Sequence, residues 1–341
     1  MNYKGINYDI GTITITGGLT RETFDEAAVT KEIDIIKNEL HCNAVRISGL
    51  HKERLSKAAE IALQKGLTVW LSPALHYNTQ NNTMEYILKN AAEAERLRVQ
   101  YPDIIFVVGC EFSVFTSGFI KGDTCEKRLQ ELFSPVSLLK NMLGIKRSYN
   151  KRLNKFLKEA VQEIRKIFHG AITYASGSWE KIDWSVFDIA GIDLYRSSFN
   201  KTTYVDELRN YKKLGKPLSV MEFGCCTYKG ADDKGAIGWA IVDWRKDPPE
   251  LKGNYERDET VQSKYILDLL NIFEQEDLFA VFVFTFSSYN YVYNSNPKYD
   301  LDMASYGVVR STPGIYNVKY NLPWTPKDAF FVLGKYNSEK L

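Results

Sequence analysis

The sequence predicts a (β/α)8 barrel, in which eight parallel strands form a closed ring and helices surround it. Short apolar runs alternate with helical stretches along almost the whole chain. The interiors of these runs are nearly continuously apolar, as expected for parallel strands that are buried on both faces. The chain has 341 residues, a length that one such barrel commonly occupies when its loops are extended.

The first half of the chain contains four of the predicted strands. In the first helical stretch, Ile33, Ile36 and Leu40 recur at helical spacing, with charged residues on the other face. Gly66 is a natural end for the second helix, and Pro73 stops the strand that follows. The predicted strands span residues 4–8, 43–48, 67–72 and 104–111, and the predicted helices span 25–40, 51–65 and 84–100.

The second half continues the alternation to an eighth strand. Asp258 is the predicted N-cap of the last helix, and the residues after 286 are interpreted as loop and tail. The predicted strands span residues 171–175, 187–195, 218–222 and 279–286, and the predicted helices span 150–168, 204–214 and 258–275. We expect one domain over residues 1–330 and a tail over 331–341.

Two long segments follow strands four and seven, at residues 112–149 and 223–257. Insertions of this length usually build binding surface. The competing fold, a doubly wound sheet, needs a glycine-rich phosphate-binding turn after its first strand. The loop at residues 11–18 lacks GxGxxG and GxxxxGK[ST]. The barrel is therefore favoured, and no cofactor is expected.

Composition narrows the class of protein. Hydrophobic residues make up 44% and charged residues 25%, which is ordinary for a globular protein. A net charge of +2 argues against a nucleic-acid partner. No signal-like N-terminus or long apolar segment is present, so we expect a cytoplasmic protein without a membrane partner. Five cysteines without CxxC spacing predict reduced thiols and no metal site.

Carboxylates follow two of the predicted strands. Glu111 ends strand four and Glu222 ends strand seven. Because all strands of such a barrel end at one mouth, catalytic residues are expected there. Two carboxyl groups about 5–5.5 Å apart would support glycoside cleavage with retention, and a spacing of about 6.5–9.5 Å would admit an inverting water. Each glutamate alone is equally consistent with the first solvated residue of a loop.

Other side chains at the predicted mouth are candidates for substrate binding. Aromatic residues make up 13% of the chain, and such rings suit sugar faces, although each tryptophan is at least as consistent with core packing. The candidates are Arg46, His76, Cys110, Tyr174, Asp193, Tyr195, Trp239 and Tyr289.

The glutamates at the ends of strands four and seven resemble those of the clan A glycoside hydrolases, retaining (β/α)8 enzymes that include cellulases, β-mannanases and β-galactosidases. The resemblance implies that Glu111 is the acid/base and Glu222 the nucleophile. It further implies that Arg46 positions the nucleophile, with Tyr195 or Tyr174 bonded to it. A nearby cation would keep Glu222 ionised, and burial would raise the pKa of Glu111.

A second resemblance is to uncharacterised barrel proteins labelled abortive infection or phage-resistance proteins. It is carried by three motifs, Val108–Ser113, Gly122–Thr124 and Glu222–Ala231.

Two positions depart from the clan A pattern. Cys110 stands where clan A enzymes usually place an Asn that holds the sugar 2-hydroxyl. Phe284, Phe286 or Tyr289 stands where a Trp platform is often found.

Two functions follow from these patterns. The first is a retaining glycosidase that acts on a β-linked glycan or glycoside. The second is a catalytically silent barrel that binds carbohydrate or a phage-derived partner.

Overall fold

Eight parallel strands close into a barrel in the computed structural model of the chain, which describes residues 1–14, 17–137 and 148–340. This confirms the predicted fold class. The barrel strands are β1 (Tyr3–Asp9), β2 (Ala44–Gly49), β3 (Thr68–Pro73), β4 (Ile104–Cys110), β5 (Ile172–Gly177), β6 (Ala190–Asp193), β7 (Leu218–Phe223) and β10 (Ala280–Val283). Strand β1 pairs with both β2 and β10, which completes the ring.

Helices surround this ring and two small antiparallel sheets accompany it. The α-helices in the described part of the chain include Glu26–Asn38, Lys52–Gln64, Gln80–Gln100, Phe112–Phe115, Cys125–Leu132, Ser148–Ile164, Tyr204–Lys212, Glu259–Gln275 and Asp328–Ser338. The small sheets pair β8 (Val242–Asp243) with β9 (Glu250–Leu251), and β11 (Val309–Ser311) with β12 (Trp324–Pro326). Residues 138–147 of the predicted insertion after strand four lie outside the described residues.

Capping side chains explain where several helices begin. The carboxylate of Asp258 accepts a hydrogen bond from the Thr260 backbone N–H at 3.0 Å, which confirms the predicted N-cap. The third helix begins at Gln80 rather than at the predicted residue 84, because the Thr79 hydroxyl accepts from the Asn82 N–H. This cap precedes the apolar periodicity from which the prediction was made.

The prediction of loop and tail after residue 286 is wrong for part of that segment. Strands β11 and β12 are too short to show a periodic pattern, and the helix Asp328–Ser338 packs against the helix Glu259–Gln275. In this last helix Tyr336 donates a hydrogen bond to the Leu270 carbonyl at 3.1 Å. The predicted start of the tail at residue 331 therefore falls inside a packed helix.

The lower part of the barrel interior is apolar. Trp70 and Phe282 meet there edge to face, with their ring centroids 4.9 Å apart, and Ala44 and Met221 belong to the same buried cluster. Since side chains two residues apart on a strand share a face, Arg46 points inward one layer above Ala44. The apolar plug thus supports a polar layer at the carboxyl ends of the strands. Within the described residues, no helix has the length and apolar character needed to cross a membrane.

Candidate active site

Glu222, near the end of β7, accepts hydrogen bonds from Arg46 on β2 and from Tyr195, which follows β6. Arg46 Nη1 lies 2.9 Å from Glu222 Oε1, and the Tyr195 hydroxyl donates to Oε2 at 3.0 Å. The Glu222 side chain is 16% exposed, whereas that of Arg46 is 2% exposed. The carboxylate is consequently held in one orientation from below while remaining open to the barrel mouth.

The guanidinium of Arg46 is itself fixed by groups from three other strands, and its Nε lies 3.4 Å from the Ser72 hydroxyl on β3. Its Nη1 also lies 3.2 Å from Asn7 Oδ1 and 3.3 Å from the Met221 carbonyl. The Asn7 amide in turn donates to the same Met221 carbonyl at 2.9 Å. Asn7 thereby links β1 to β7 beneath the glutamate, and it orients the arginine.

Glu111 occupies an unusual backbone position. It follows β4 with φ 43° and ψ 46°, in the left-handed region, so β4 ends at Cys110 and not at Glu111 as predicted. A non-glycine residue in this region costs on the order of 1–3 kcal/mol, and such residues cluster at functional sites. The Glu111 N–H donates to the Ala175 carbonyl at 2.9 Å, and its own carbonyl accepts from the Val114 N–H. These bonds hold the turn that carries the carboxyl group.

The pKa of Glu111 is raised well above its ordinary value. Burial is the main cause, followed by the negative charges of Asp193, Glu222 and Glu180, while Arg46 opposes the shift. A carboxyl group that keeps its proton to higher pH can act as a general acid. Asp193 and Glu222, whose charges act on Glu111, lie at or near the ends of β6 and β7.

Cys110 and Asp193 complete the polar layer around Glu222. The Cys110 thiol lies 3.5 Å from Asp193 Oδ2 and 3.7 Å from Glu222 Oε1, and it can donate a weak hydrogen bond to either. Burial raises the pKa of this thiol, and the two carboxylates raise it further. The pKa of Asp193 is also raised, first by burial and then by Glu222. Three acidic groups therefore compete for the single positive charge of Arg46.

Tyr174 stabilises the backbone that follows Glu111. It is fully buried and contacts Glu180 rather than Glu222, so of the two candidate tyrosines it is Tyr195 that bonds the predicted nucleophile. The Tyr174 hydroxyl donates to Glu180 Oε2 at 2.9 Å and accepts from the Phe112 N–H at 2.7 Å. The Ser113 N–H donates to Glu180 Oε1 at 2.9 Å. The backbone just after Glu111 is thereby held by two side chains.

Glu180 was missed by sequence reasoning. It lies in the connection between β5 and β6, where neither a strand end nor a periodic pattern marked it. Burial raises its pKa to about 7. The only available signal was the adjacent Trp179. Its indole N–H donates to the Ser113 hydroxyl at 3.0 Å, so Trp179 packs on the short helix Phe112–Phe115, which Glu180 also contacts.

The other three predicted substrate-binding residues, His76, Trp239 and Tyr289, each have different surroundings. His76 stacks on Phe115, with ring centroids 4.3 Å apart, and burial lowers its pKa to about 4, which leaves the ring neutral near pH 7. Trp239 is half-buried and packs against a cluster that includes Tyr195 and Phe284. Tyr289 belongs to a different cluster, where its ring faces the Arg21 guanidinium at 4.5 Å.

Two aromatic rings pack against Tyr195. The ring of Tyr195 contacts that of Tyr306 at a centroid distance of 5.8 Å and that of Phe284 at 6.5 Å. Phe284 is half-buried, whereas Phe286 is fully buried against Tyr8. Of the three alternatives for the aromatic platform, Phe284 is the one whose ring contacts Tyr195, which donates a hydrogen bond to Glu222.

In the described part of the chain, Cys225 and Cys226 differ from Cys110 in their suitability as metal ligands. Cys225 and Cys226 are fully buried, and the Cys226 thiol donates to the Ala304 carbonyl at 3.2 Å, as expected for packed thiols. Cys110 differs because one ligand atom each from Cys110, Asp193 and Glu222 lie within 4.8 Å of one another. This trio is the arrangement in the site that could hold a cation.

The sequence matches no protein-family model and no curated protein. Solved structures are similar in fold. A GH113 β-1,4-mannanase superposes with a TM-score of 0.63 at 13% identity, covering 99% of both chains. The chain has the fold of glycoside hydrolases. A GH113 β-mannanase from Alicyclobacillus acidocaldarius gives a TM-score of 0.61 at 14% identity over 99% of this chain and 97% of that one.

The similarity extends to a larger glycosidase. A β-glucuronidase from an uncultured Clostridium superposes with a TM-score of 0.56 at 14% identity, covering 99% of this chain but 50% of its own. The chain therefore spans about half the length of that enzyme. At these identities the comparison establishes the architecture, and the chemistry has to be argued from the site.

Proposed function

We propose that the protein is a retaining glycosidase in which Glu222 is the nucleophile and Glu111 the acid/base. The observation that carries this proposal is the contrast between the two carboxyl groups. Glu222 accepts bonds from a guanidinium and a phenol, whereas Glu111 is held on a strained turn with a raised pKa. Pairs of carboxyls in such different environments are typical of one nucleophile and one proton donor.

In the proposed first step, the Glu222 carboxylate attacks the anomeric carbon and Glu111 protonates the departing glycosidic oxygen. A glycosyl ester on Glu222 results, and the leaving group departs as an alcohol. Ester formation removes the negative charge of Glu222, one of the causes of the raised Glu111 pKa. The pKa of Glu111 then falls, so the carboxylate can accept a proton from the water that hydrolyses the ester.

The proposed substrate class is a β-linked glycan or glycoside. It is supported by the two-glutamate arrangement and by the fold shared with β-mannanases and a β-glucuronidase. Cys110 lies close to both Glu222 and Asp193, and we propose that Cys110 and Asp193 contact the sugar. The half-buried rings of Trp239, Phe284 and His76 are proposed to border the binding cleft.

A second candidate function is a silent barrel that binds carbohydrate or a phage-derived partner. The observation that favours it is Cys110, because a thiol is a weak hydrogen-bond donor where clan A enzymes present an amide. The similarity of the Val108–Ser113 motif to proteins labelled abortive infection points the same way. Under this reading Glu111 and Glu222 would bind a ligand without breaking a bond.

The deciding experiment is turnover of a panel of aryl β-glycosides by the wild type and by Glu222→Ala and Glu111→Ala variants. We expect loss of turnover in the first variant and a loss of about 10²–10⁴-fold in the second. Azide should rescue the two differently, giving an α-glycosyl azide with Glu222→Ala and a β-glycosyl azide with Glu111→Ala.

The matched control is Glu256→Ala, which removes a glutamate whose side chain is 68% exposed. We expect it to retain wild-type turnover. Activity unchanged by Glu222→Ala would exclude the proposed mechanism. Carbohydrate binding with no turnover across the panel would favour the silent barrel.

A further inference from the structure

The Cys110 thiol lies beside two carboxylate oxygens that a metal ion would also use. Cys110 Sγ is 3.5 Å from Asp193 Oδ2 and 3.7 Å from Glu222 Oε1. For tetrahedral zinc, with bonds of about 2.3 Å to sulfur and about 2.0 Å to oxygen, the sulfur to oxygen edge is about 3.5 Å. Both measured distances are close to this sulfur–oxygen separation without any movement of the side chains.

A second observation concerns Asp193. Its side chain is 1% exposed, and its Oδ1 accepts no hydrogen bond within the described residues. The nearest cation, Arg46 Nη1, is 4.0 Å from this oxygen, which exceeds hydrogen-bond distance. A buried carboxylate oxygen without a donor is costly, and a cation that contacts both oxygens of the Asp193 carboxylate is one of the groups that satisfies it.

The charges also balance. With Cys110 as a thiolate and with Asp193 and Glu222 ionised, the layer carries three negative charges against the single positive charge of Arg46. Without a further cation, these buried negative charges would be only partly compensated. One divalent ion together with Arg46 supplies three positive charges, which matches the three acids.

We propose that Cys110, Asp193 and Glu222 form a binding site for a thiophilic divalent cation such as Zn²⁺. Binding replaces the thiol proton of Cys110, which is released to solvent, and leaves a fourth coordination position facing the mouth. A thiolate with two carboxylates selects Zn²⁺ or Cd²⁺ over Mg²⁺. Glu222 Oε1 can keep its bond to Arg46, because a carboxylate oxygen has two lone pairs.

Zn²⁺ would thereby block the proposed nucleophile and make the site sensitive to thiophilic metals. This consequence rests on the proposed function, whereas the binding itself does not. Binding is therefore measured directly and turnover is assayed on metal-free protein, so that a protein that binds Zn²⁺ but cleaves no glycoside in its metal-free form would refute the glycosidase proposal alone. A protein that cleaves glycosides without binding Zn²⁺ would refute the metal site alone.

The test is calorimetric titration of the full-length, reduced protein with Zn²⁺, and separately with Mg²⁺, in buffers of different ionisation enthalpy. We expect one Zn²⁺ per chain, at least one proton released per ion, and no comparable Mg²⁺ binding. Co²⁺ should give the visible absorption of a tetrahedral site together with a thiolate charge-transfer band.

Two variants and a control assign the ligands. Cys110→Ser should weaken Zn²⁺ binding by more than about tenfold and remove the charge-transfer band, and Asp193→Asn should weaken binding similarly. The control is Cys42→Ala, which removes a buried thiol just before β2, at the opposite end of the barrel, and should leave binding unchanged. The absence of Zn²⁺ binding to the wild type, or binding unaffected by Cys110→Ser, would overturn the proposal.

Discussion

Arg46 and Glu222, 176 residues apart in the sequence, form an ion pair of 2.9 Å in which the arginine side chain is 2% exposed. The arginine reaches the glutamate from β2 across the interior of the barrel, above the apolar plug. It also donates hydrogen bonds to Asn7 Oδ1, to the Met221 carbonyl and to the Ser72 hydroxyl. The ion pair therefore links β7, which carries the proposed nucleophile, to β2 across the barrel interior.

We predict that Arg46→Met lowers the free energy of unfolding by roughly 3–5 kcal/mol, because it leaves the charges of Glu222 and Asp193 without their buried partner. Urea unfolding at pH 7 measures this. The double variant Arg46→Met/Glu222→Gln should recover part of the loss. Arg245→Met, which removes an exposed arginine paired with Asp243, should leave stability nearly unchanged. Equal effects of the two single substitutions would contradict the role assigned to Arg46.

Tyr195→Phe is predicted to reduce turnover while the fold is retained. The substitution deletes the hydroxyl that donates to Glu222 Oε2 at 3.0 Å, a bond to a charged group that is worth about 1.5–3 kcal/mol. We expect kcat to fall by roughly 10- to 100-fold, since 1.4 kcal/mol corresponds to about tenfold. The matched control is Tyr316→Phe, at an exposed tyrosine. An unchanged kcat for Tyr195→Phe would mean that this hydroxyl does not act on the nucleophile.

Much of this framework could be predicted from sequence. Alternating apolar runs and helical stretches gave the barrel, and the carboxylates at the ends of strands four and seven marked the mouth. The contact of Arg46 with Glu222 was expected from the clan A resemblance. Periodic burial explains this success, because barrel strands and helices leave a repeating apolar signal in the chain.

The supporting residues could not be predicted for a physical reason. Glu180 lies in an irregular connection, and its bonds to Tyr174 and to the Ser113 N–H depend on how two loops fold against each other. The left-handed backbone of Glu111 likewise follows from packing rather than from local sequence, because glutamate has no preference for that conformation. Tyr289 sits at the end of a predicted strand but turns towards Arg21.

The raised pKa of Glu180 predicts a specific pH dependence of stability. Burial raises it from 4.5 to about 7, so the folded state binds this proton more tightly than the unfolded state. The stabilisation is fully present below pH 4.5 and is lost as the pH rises through about 7. Between these limits it amounts to roughly 3 kcal/mol.

Glu180→Gln should remove this dependence, because the amide does not titrate and its oxygen can still accept from the Ser113 N–H. Urea unfolding at several pH values between 4.5 and 7.5 measures the difference between variant and wild type. Stability that falls equally in both proteins over this range would contradict the assignment to Glu180.

The pH profile of activity should depend on Glu111. Because the pKa of Glu111 is raised, we expect activity to persist above the ordinary range of a carboxylic acid and to decline on the alkaline side as Glu111 loses its proton. Glu111→Gln, assayed with a substrate whose leaving group needs no protonation, should lose that alkaline limb. Retention of the limb in the variant would assign it to another group.

Cys110→Asn restores the amide found at this position in clan A enzymes. We expect it to raise turnover of β-glycosides that carry a 2-hydroxyl and to leave turnover of 2-deoxy glycosides unchanged, because only the former can accept the new hydrogen bond. The ratio of the two kcat/KM values is the readout. An equal effect on both substrates would show that position 110 does not contact the 2-hydroxyl.

The central claim is that Glu222 forms a covalent bond with the sugar. Its most direct test is to incubate the protein with 2-deoxy-2-fluoro-β-glycosides that carry activated leaving groups, followed by peptide mapping by mass spectrometry. We predict one sugar per chain, attached to Glu222. A label on any other residue, or no label on protein that hydrolyses the parent glycoside, would contradict the account.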